Sequence, residues 1–232
     1  MPQLKPLSAG AALAAAFGTT VLTGGALALA FSPAQARTPR ILIILGATYG
    51  LLAAATAAWL RRRGVLRQRL APAYGDVTKG FLTALGLYVA AYLLHQLCTG
   101  RGSSGEPWIL RAYLHVGDPF ATGAWAVAVA VFLIASCEEL VWRGGVMALL
   151  VDTVGGRRAW LGTTMLYGLS YAPTVVLLAD PVAGPNPLLL IGALVGGAVW
   201  GGLVLLFRRL MPIVFGHGLL AWALMAFPLW RP

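Results

Sequence analysis

Charged residues are scarce in this sequence. Only 10% of its 232 residues are Asp, Glu, Lys or Arg, whereas 59% are hydrophobic and the mean hydropathy is +0.80. Soluble domains usually contain about a quarter charged residues. So little polar side-chain surface excludes a water-soluble globule of this size, because it is too small to cover the exterior.

Cysteine is equally rare. The two cysteines, Cys98 and Cys137, fall in different predicted helices and are too few for a disulfide framework. Cys137 directly precedes Glu138, which raises the alternative of a cysteine nucleophile. A buried free cysteine usually serves as a small packing residue, so this alternative is disfavoured.

Acidic residues number only seven against 17 Lys and Arg, and the formal net charge is +10. Such an excess can indicate nucleic-acid binding. Here, however, the basic residues stand mostly at the ends of apolar segments, which is typical of membrane topology. We therefore expect the lipid bilayer as a partner and no nucleic acid.

Apolar runs recur along the whole chain. About 20 apolar residues are needed to cross the hydrocarbon as a helix, and the backbone must satisfy its own hydrogen bonds there. We predict an all-α, polytopic transmembrane bundle of about seven helices. Residues 1–121 would form N-terminal helices and an outer loop, and residues 122–232 a transmembrane core. The predicted segments are roughly 9–31, 41–60, 80–98, 122–147, 160–179, 188–207 and 213–230.

The first segment has a second interpretation. Lys5, the apolar stretch after it and Ala34-Gln35-Ala36 resemble a cleavable signal peptide. The apolar part is longer than the usual core of such a peptide, so we favour a retained helix.

The distribution of Lys and Arg predicts the orientation. Eleven lie on the N-terminal side of the seven segments and five on the other, with Arg143 inside a helix. Basic residues favour the cytoplasmic side, so we expect a cytoplasmic N-terminus in a cytoplasmic (inner) cell membrane. The eleven are Lys5, Arg61, Arg62, Arg63, Arg67, Arg69, Lys79, Arg157, Arg158, Arg208 and Arg209; the five are Arg37, Arg40, Arg101, Arg111 and Arg231.

The fourth segment carries three ionisable residues, Glu138, Glu139 and Arg143. Each such group near the bilayer centre costs about 2.5–3.5 kcal/mol on insertion scales, and intramembrane ionisable residues usually mark function. Glu139 and Arg143 are four residues apart, so they share a helix face and can pair. Glu138 lies about 100° round the helix, which leaves it available as a general base for water. The alternative is a purely structural ion pair.

Two later segments carry polar side chains at a similar depth. The fifth contains Tyr167 and Tyr171, and the seventh contains His217. A single intramembrane histidine is often only a packing residue. With Glu138 at matching depth, we expect His217 to act as its partner.

At this point the chain resembles the CPBP family of intramembrane proteases, which includes the type II CAAX prenyl endopeptidases. The first family motif, Glu-Glu-x-x-x-Arg, is present from Glu138 to Arg143. The second, Phe-x-x-x-His, is replaced by a run from Tyr167 to Tyr171. In the third, His-x-x-x-Asn, His217 matches and Ala221 stands in place of Asn. The resemblance covers about 122–230.

The resemblance implies an intramembrane endopeptidase that cuts a membrane-embedded or lipid-modified peptide or protein. Glu138 would activate a water molecule, His217 would assist it, and Glu139 and Arg143 would support the site. Tyr171 can donate a hydrogen bond to an oxyanion. It cannot replace histidine as a proton shuttle near neutral pH.

The family resemblance also allows a divalent metal such as zinc. A catalytic zinc normally takes three protein ligands. His95 and His115 are predicted on the outer side, so only His217 accompanies the glutamates, and these residues give a zinc site little support.

Two other functions stay open. The chain is alternatively a catalytically inactive family member that binds a membrane protein or assists another protease, as the residues Tyr171 and Ala221 suggest. A third class is a small transporter or channel that uses Glu138 in a proton path, although neither an inverted repeat nor a pair of broken helices is evident.

Overall fold

The computed structural model describes residues 8–117 and 123–230. Within these ranges the chain is helical and forms no β-strand, apart from one isolated bridge between Asp180 and Gly184. The all-α prediction is confirmed. The α-helices are α1 (Ala9–Ala30), α2 (Arg40–Arg62), α3 (Leu66–Leu70), α4 (Asp76–Cys98), α5 (Glu106–Val116), α6 (Ala124–Glu139), α7 (Met147–Val154), α8 (Gly156–Ser170), α9 (Ala172–Leu177), α10 (Leu188–Phe207) and α11 (Met211–Ala226).

Each of the seven predicted segments is helical over most of its described length. Five helices of the described ranges are long and apolar enough to cross a membrane: Ala9–Ala30, Arg40–Arg62, Asp76–Thr99, Ala124–Val154 and Leu188–Phe207. The remaining two segments differ from a simple span. The seventh, α11, is a shorter apolar helix, and the fifth is divided into α8 and α9.

The division between α8 and α9 falls at Tyr171. Pro173 occupies the first turn of α9 and has no N–H to continue the hydrogen bonds of α8. The N–H of Tyr171 turns back to the carbonyl of Gly168 at 2.9 Å. Tyr171 therefore lies at the break between the two helices, and the direction of its side chain is not set by the regular turns of α9.

The fourth segment is longer than predicted and contains a π-helix from Leu140 to Val146. It joins α6 to α7 in one continuous helix of 31 residues, Ala124–Val154. Residues 141–146 are all buried. Short π-helical stretches inside α-helices are often found at functional sites.

Glycines allow α11 to approach its neighbours closely. A Cβ built on Gly80 of α4 would lie 2.5 Å from the carbonyl oxygen of Pro212, and one on Gly216 would lie 2.9 Å from the carbonyl oxygen of Gly80. On another side of α11, a Cβ on Gly218 would lie 2.5 Å from the Ser136 hydroxyl of α6. The backbone of α11 is thus held between α4 and α6.

The predicted two-sided arrangement of the loops agrees with the contacts at each end of the bundle. At the arginine-rich end, Arg63 pairs with Asp152 at 2.8 Å and Arg209 with Asp76 at 2.9 Å. At the opposite end, Arg111 pairs with Asp180 at 2.9 Å. Which end faces the cytoplasm stays a prediction. Lys5 and Arg231 lie outside the described residues.

The proposed division into 1–121 and 122–232 stays a prediction, and its boundary falls outside the described residues. Helices of the two parts pack together, α4 against α11 and α2 against α6. The first helix, α1, packs against α2 and α8 and buries Ala16 and Leu27. Retention of α1 stays a prediction.

We expect Gly80→Ala to destabilise the bundle, because the new methyl group would collide with the backbone of α11. Overpacking of this kind typically costs about 1–3 kcal/mol. The matched control is Gly86→Ala on the same helix, where a Cβ meets nothing within 4 Å. Thermal unfolding in detergent should show a lower midpoint for the first variant only. Equal midpoints for the two variants would show that the close crossing is unimportant.

Candidate active site

A polar cluster lies inside the helix bundle where α2, α6, α8 and α11 meet. Glu138 and Glu139 end α6, and Arg143 lies in the following π-helix. All three are buried, with relative exposures of 4%, 0% and 1%. The structure brings His217 of α11 and Tyr171 to the same cluster, so the five site residues predicted from the sequence do lie together.

Glu139 is the centre of one half of the cluster. Its Oε1 atom accepts a hydrogen bond from Arg143 Nη1 at 2.9 Å, which is the ion pair predicted from the spacing. The same oxygen lies 2.7 Å from Nδ1 of His217. The indole of Trp200, from α10, stacks on the imidazole with the ring centroids 5.7 Å apart. His217 is thus held by a carboxylate at its edge and an aromatic ring on its face.

Glu138 is the centre of the other half. Its Oε1 atom accepts a hydrogen bond from the Tyr171 hydroxyl at 2.7 Å, and its Oε2 atom lies 3.4 Å from the Tyr167 hydroxyl. Tyr49 of α2 is also close enough to Glu138 to interact with it electrostatically, although its hydroxyl makes no hydrogen bond of standard geometry to any described residue. Phenol groups from two helices therefore surround this carboxylate.

Tyr167 joins the two halves. Its hydroxyl approaches Glu138, while the guanidinium carbon of Arg143 lies over its ring, 4.6 Å from the centroid. A cation over an aromatic face is attracted by the ring quadrupole, more strongly where water is excluded. Arg143, which neutralises Glu139, is thus also in contact with Tyr167, whose hydroxyl faces Glu138.

The position of His217 differs in one respect from the expectation. We expected it beside Glu138, but its hydrogen bond is to Glu139. It remains near enough to Glu138 for an electrostatic interaction. The roles of both residues stay predictions.

Sequence reasoning missed three residues of this site. Tyr167 was visible as the first position of the altered second motif, but its side chain had no assigned role. Tyr49 and Trp200 lie in apolar helices where an aromatic residue normally indicates packing, so no local signal pointed to them. Both are 1% exposed.

The residues present do not fit a metal site. Nδ1 of His217 and Oε1 of Glu139 form a hydrogen bond to each other and therefore do not both point at a position that a metal ion would occupy. The other histidines are engaged elsewhere: Nδ1 of His95 lies 2.8 Å from the Thr99 hydroxyl, and Nε2 of His115 lies 3.2 Å from the Ala30 carbonyl oxygen. Across residues 8–117 and 123–230, no three His, Cys, Asp or Glu side chains are grouped to hold a metal ion.

Several long apolar helices that surround a carboxylate–histidine cluster are typical of a multi-pass membrane protein. Residues 120–223 match a family model, type II CAAX prenyl endopeptidase Rce1-like. This match confirms the resemblance to the CPBP family that the Glu-Glu-x-x-x-Arg motif indicated. The family comprises CAAX endopeptidases, which are hydrolases. Searches of curated proteins and of solved structures find no match.

We expect Arg143→Gln to destabilise the protein strongly, because it leaves the buried Glu139 without its strongest positive partner. Removing one member of a buried pair typically costs about 3–5 kcal/mol. Arg63→Gln at the partly exposed Arg63–Asp152 pair is the control, where the cost should be about 0–1 kcal/mol. Unfolding by denaturant in micelles measures both. Similar losses in the two variants would contradict a special role for the buried pair.

Proposed function

We propose that this chain is an intramembrane endopeptidase that hydrolyses a peptide bond of a membrane-embedded or lipid-modified substrate near the cytoplasmic face. The observation that carries this proposal is the convergence of Glu138, Glu139, His217 and Tyr171 in one buried cluster. Structural ion pairs need only two opposite charges. This cluster contains a second carboxylate, an imidazole and phenol groups as well, which are the groups that acid–base chemistry uses.

Glu138 is proposed as the general base. Glu139 is already bound to a guanidinium, whereas within the described ranges Glu138 makes no ion pair within 4 Å. Its carboxylate would take a proton from water while the hydroxide adds to the scissile carbonyl carbon. The same proton would then pass to the leaving nitrogen as the C–N bond breaks.

Tyr171 is proposed to orient the base and stabilise the oxyanion. Its hydroxyl donates to Glu138 Oε1 at 2.7 Å, which fixes one carboxylate oxygen. The other oxygen has only the long 3.4 Å contact with Tyr167 and is open to a water molecule. Because Tyr171 has a single O–H, this group would turn from Glu138 to the negative oxygen of the carbonyl once Glu138 has taken the proton of the water.

The depth of the cluster supports cleavage near the cytoplasmic face. Glu138 follows Ala124 by fourteen residues, a rise of about 21 Å at 1.5 Å per residue. A hydrocarbon core is about 30 Å thick, so Glu138 lies beyond its midpoint from the outer end of the helix. With the orientation predicted from the arginines, this is the cytoplasmic half.

An apolar groove between α2 and α6 supports a substrate that arrives from the lipid. Its volume is about 260 Å³, and Cys137 in its lining immediately precedes Glu138. An apolar segment could approach the polar cluster along this groove without crossing the bundle. The lining residues are Leu42, Gly46, Ala130, Leu133, Ile134 and Cys137.

The test is cleavage of a panel of membrane peptides by the purified protein in liposomes. Glu138→Gln keeps the shape of the side chain but removes its basicity, so we expect the cleavage rate to fall about 100-fold or more. His217→Ala should also lose activity. Asp152→Asn, which removes a carboxylate at the arginine-rich end, is the control and should cleave normally. Full activity in Glu138→Gln would falsify the proposed base.

One observation favours a second candidate, an inactive relative that binds a membrane protein. Ala221 lies one turn after His217 on α11 and offers no hydrogen bond, and Tyr171 stands in place of the family's histidine. We expect the native chain to cleave at least one peptide of the panel. If it cleaves none and the double variant Tyr171→His, Ala221→Asn gains activity, the inactive relative is the better description.

A further inference from the structure

The hydrogen bond between His217 and Glu139 determines where the imidazole carries its proton. Nδ1 lies 2.7 Å from the carboxylate oxygen. An ionised carboxylate can only accept a hydrogen bond, so Nδ1 must donate. The neutral ring then has no proton on Nε2, and that nitrogen is left as an acceptor.

The imidazole is also fixed in orientation. Arg143 donates to the same oxygen of Glu139 at 2.9 Å, which prevents the carboxylate from turning away. Trp200 stacks on the imidazole with 28° between the ring planes. Contacts at the edge and on the face of one ring leave little freedom for rotation about the side-chain bonds.

We infer that Glu139 is the positioning residue of His217, holding the Nδ1–H tautomer and leaving Nε2 to the reacting water. This inference rests on the proposed function. In that reaction one O–H of the water donates its proton to Glu138 while the other forms a hydrogen bond to Nε2. Held at both hydrogens, the water presents an oxygen lone pair to the carbonyl carbon. The Glu139–Arg143 pair thereby acts on the reaction by orienting the imidazole of His217, in addition to neutralising a buried charge.

The tautomer can be observed directly by ¹⁵N NMR of histidine-labelled protein in micelles, at a pH above the titration of the imidazole. The chain has only three histidines, so single His→Gln variants assign the signals. His115 is an internal reference of opposite type, because its Nε2 faces a carbonyl oxygen and must donate. We expect the proton of His115 on Nε2 and that of His217 on Nδ1. A proton on Nε2 of His217 would overturn the inference.

Substitutions then test the cause. Glu139→Leu removes the acceptor, so the preference of His217 for Nδ1–H should be lost. Glu139→Gln retains an accepting oxygen without the charge, and should keep the tautomer while the Nδ1 resonance shifts. Glu138→Gln is the matched control and should leave the tautomer unchanged. An unaltered His217 spectrum in the Glu139 variants would contradict the positioning role, and the glutamine variant serves if the leucine variant does not fold.

Kinetics separate this inference from the proposed function. Where cleavage is measured, Glu139→Gln should lower kcat about tenfold or more and leave KM unchanged, because the substrate does not contact Glu139. A protein that cleaves no peptide but shows the Nδ1–H tautomer contradicts the peptidase proposal alone. A protein that cleaves peptides with the proton on Nε2 contradicts the positioning of His217 alone.

Discussion

Charge neutralisation inside a low-dielectric bundle is the constraint on which the rest of this structure depends. Glu139 and Arg143 are almost completely removed from water, and an unpaired charge there would cost several kcal/mol. The pair needs two residues on one helix face at a fixed separation, and the junction of α6 with the π-helix supplies them. Two other groups of the site contact this pair directly, His217 through Glu139 and the ring of Tyr167 through Arg143.

The second requirement is that α11 lies at the correct depth. With 16 residues it spans about 24 Å, less than the hydrocarbon thickness, so its own length does not fix its height. Close contacts at Gly80, Gly216 and Gly218 fix it instead. Because Gly216 and Gly218 flank His217, the same glycines that permit close packing also set the position of the imidazole.

Much of the fold could be predicted from composition and spacing alone. The number and approximate limits of the apolar helices follow from bilayer thickness, and the Glu139–Arg143 pair follows from helical periodicity. Periodicity within α6 could not reveal which glutamate meets His217, because that depends on how α11 crosses α6. Helical periodicity favoured Glu138 as the partner of His217, because this carboxylate is left unpaired on α6. The crossing of α11 over α6 instead places His217 beside Glu139. The π-helix was equally hidden, since the apolar pattern around Leu140 is compatible with an α-helix.

Other features were signalled but not used. Pro173 indicated a break in the fifth segment, yet the hydropathy of that segment suggested an uninterrupted span. Tyr49 carries a polar hydroxyl into an apolar helix, but nothing in the sequence of α2 distinguishes it from an interfacial tyrosine. In both cases the outcome depends on how the helices pack against one another, which the sequence of a single segment does not contain.

The π-helix gives the length of residues 140–146 a particular significance. A π-helical stretch contains more residues per turn than an α-helix, so it absorbs residues without lengthening the span in proportion. Loss of one residue there would let the stretch close into an α-helix, with little change in the rotation of α7 relative to α6. Asp152 on α7 would then still face Arg63. The effect of such a deletion would therefore fall on the buried residues of the stretch itself, Arg143 among them, and not on the contact at the arginine-rich end.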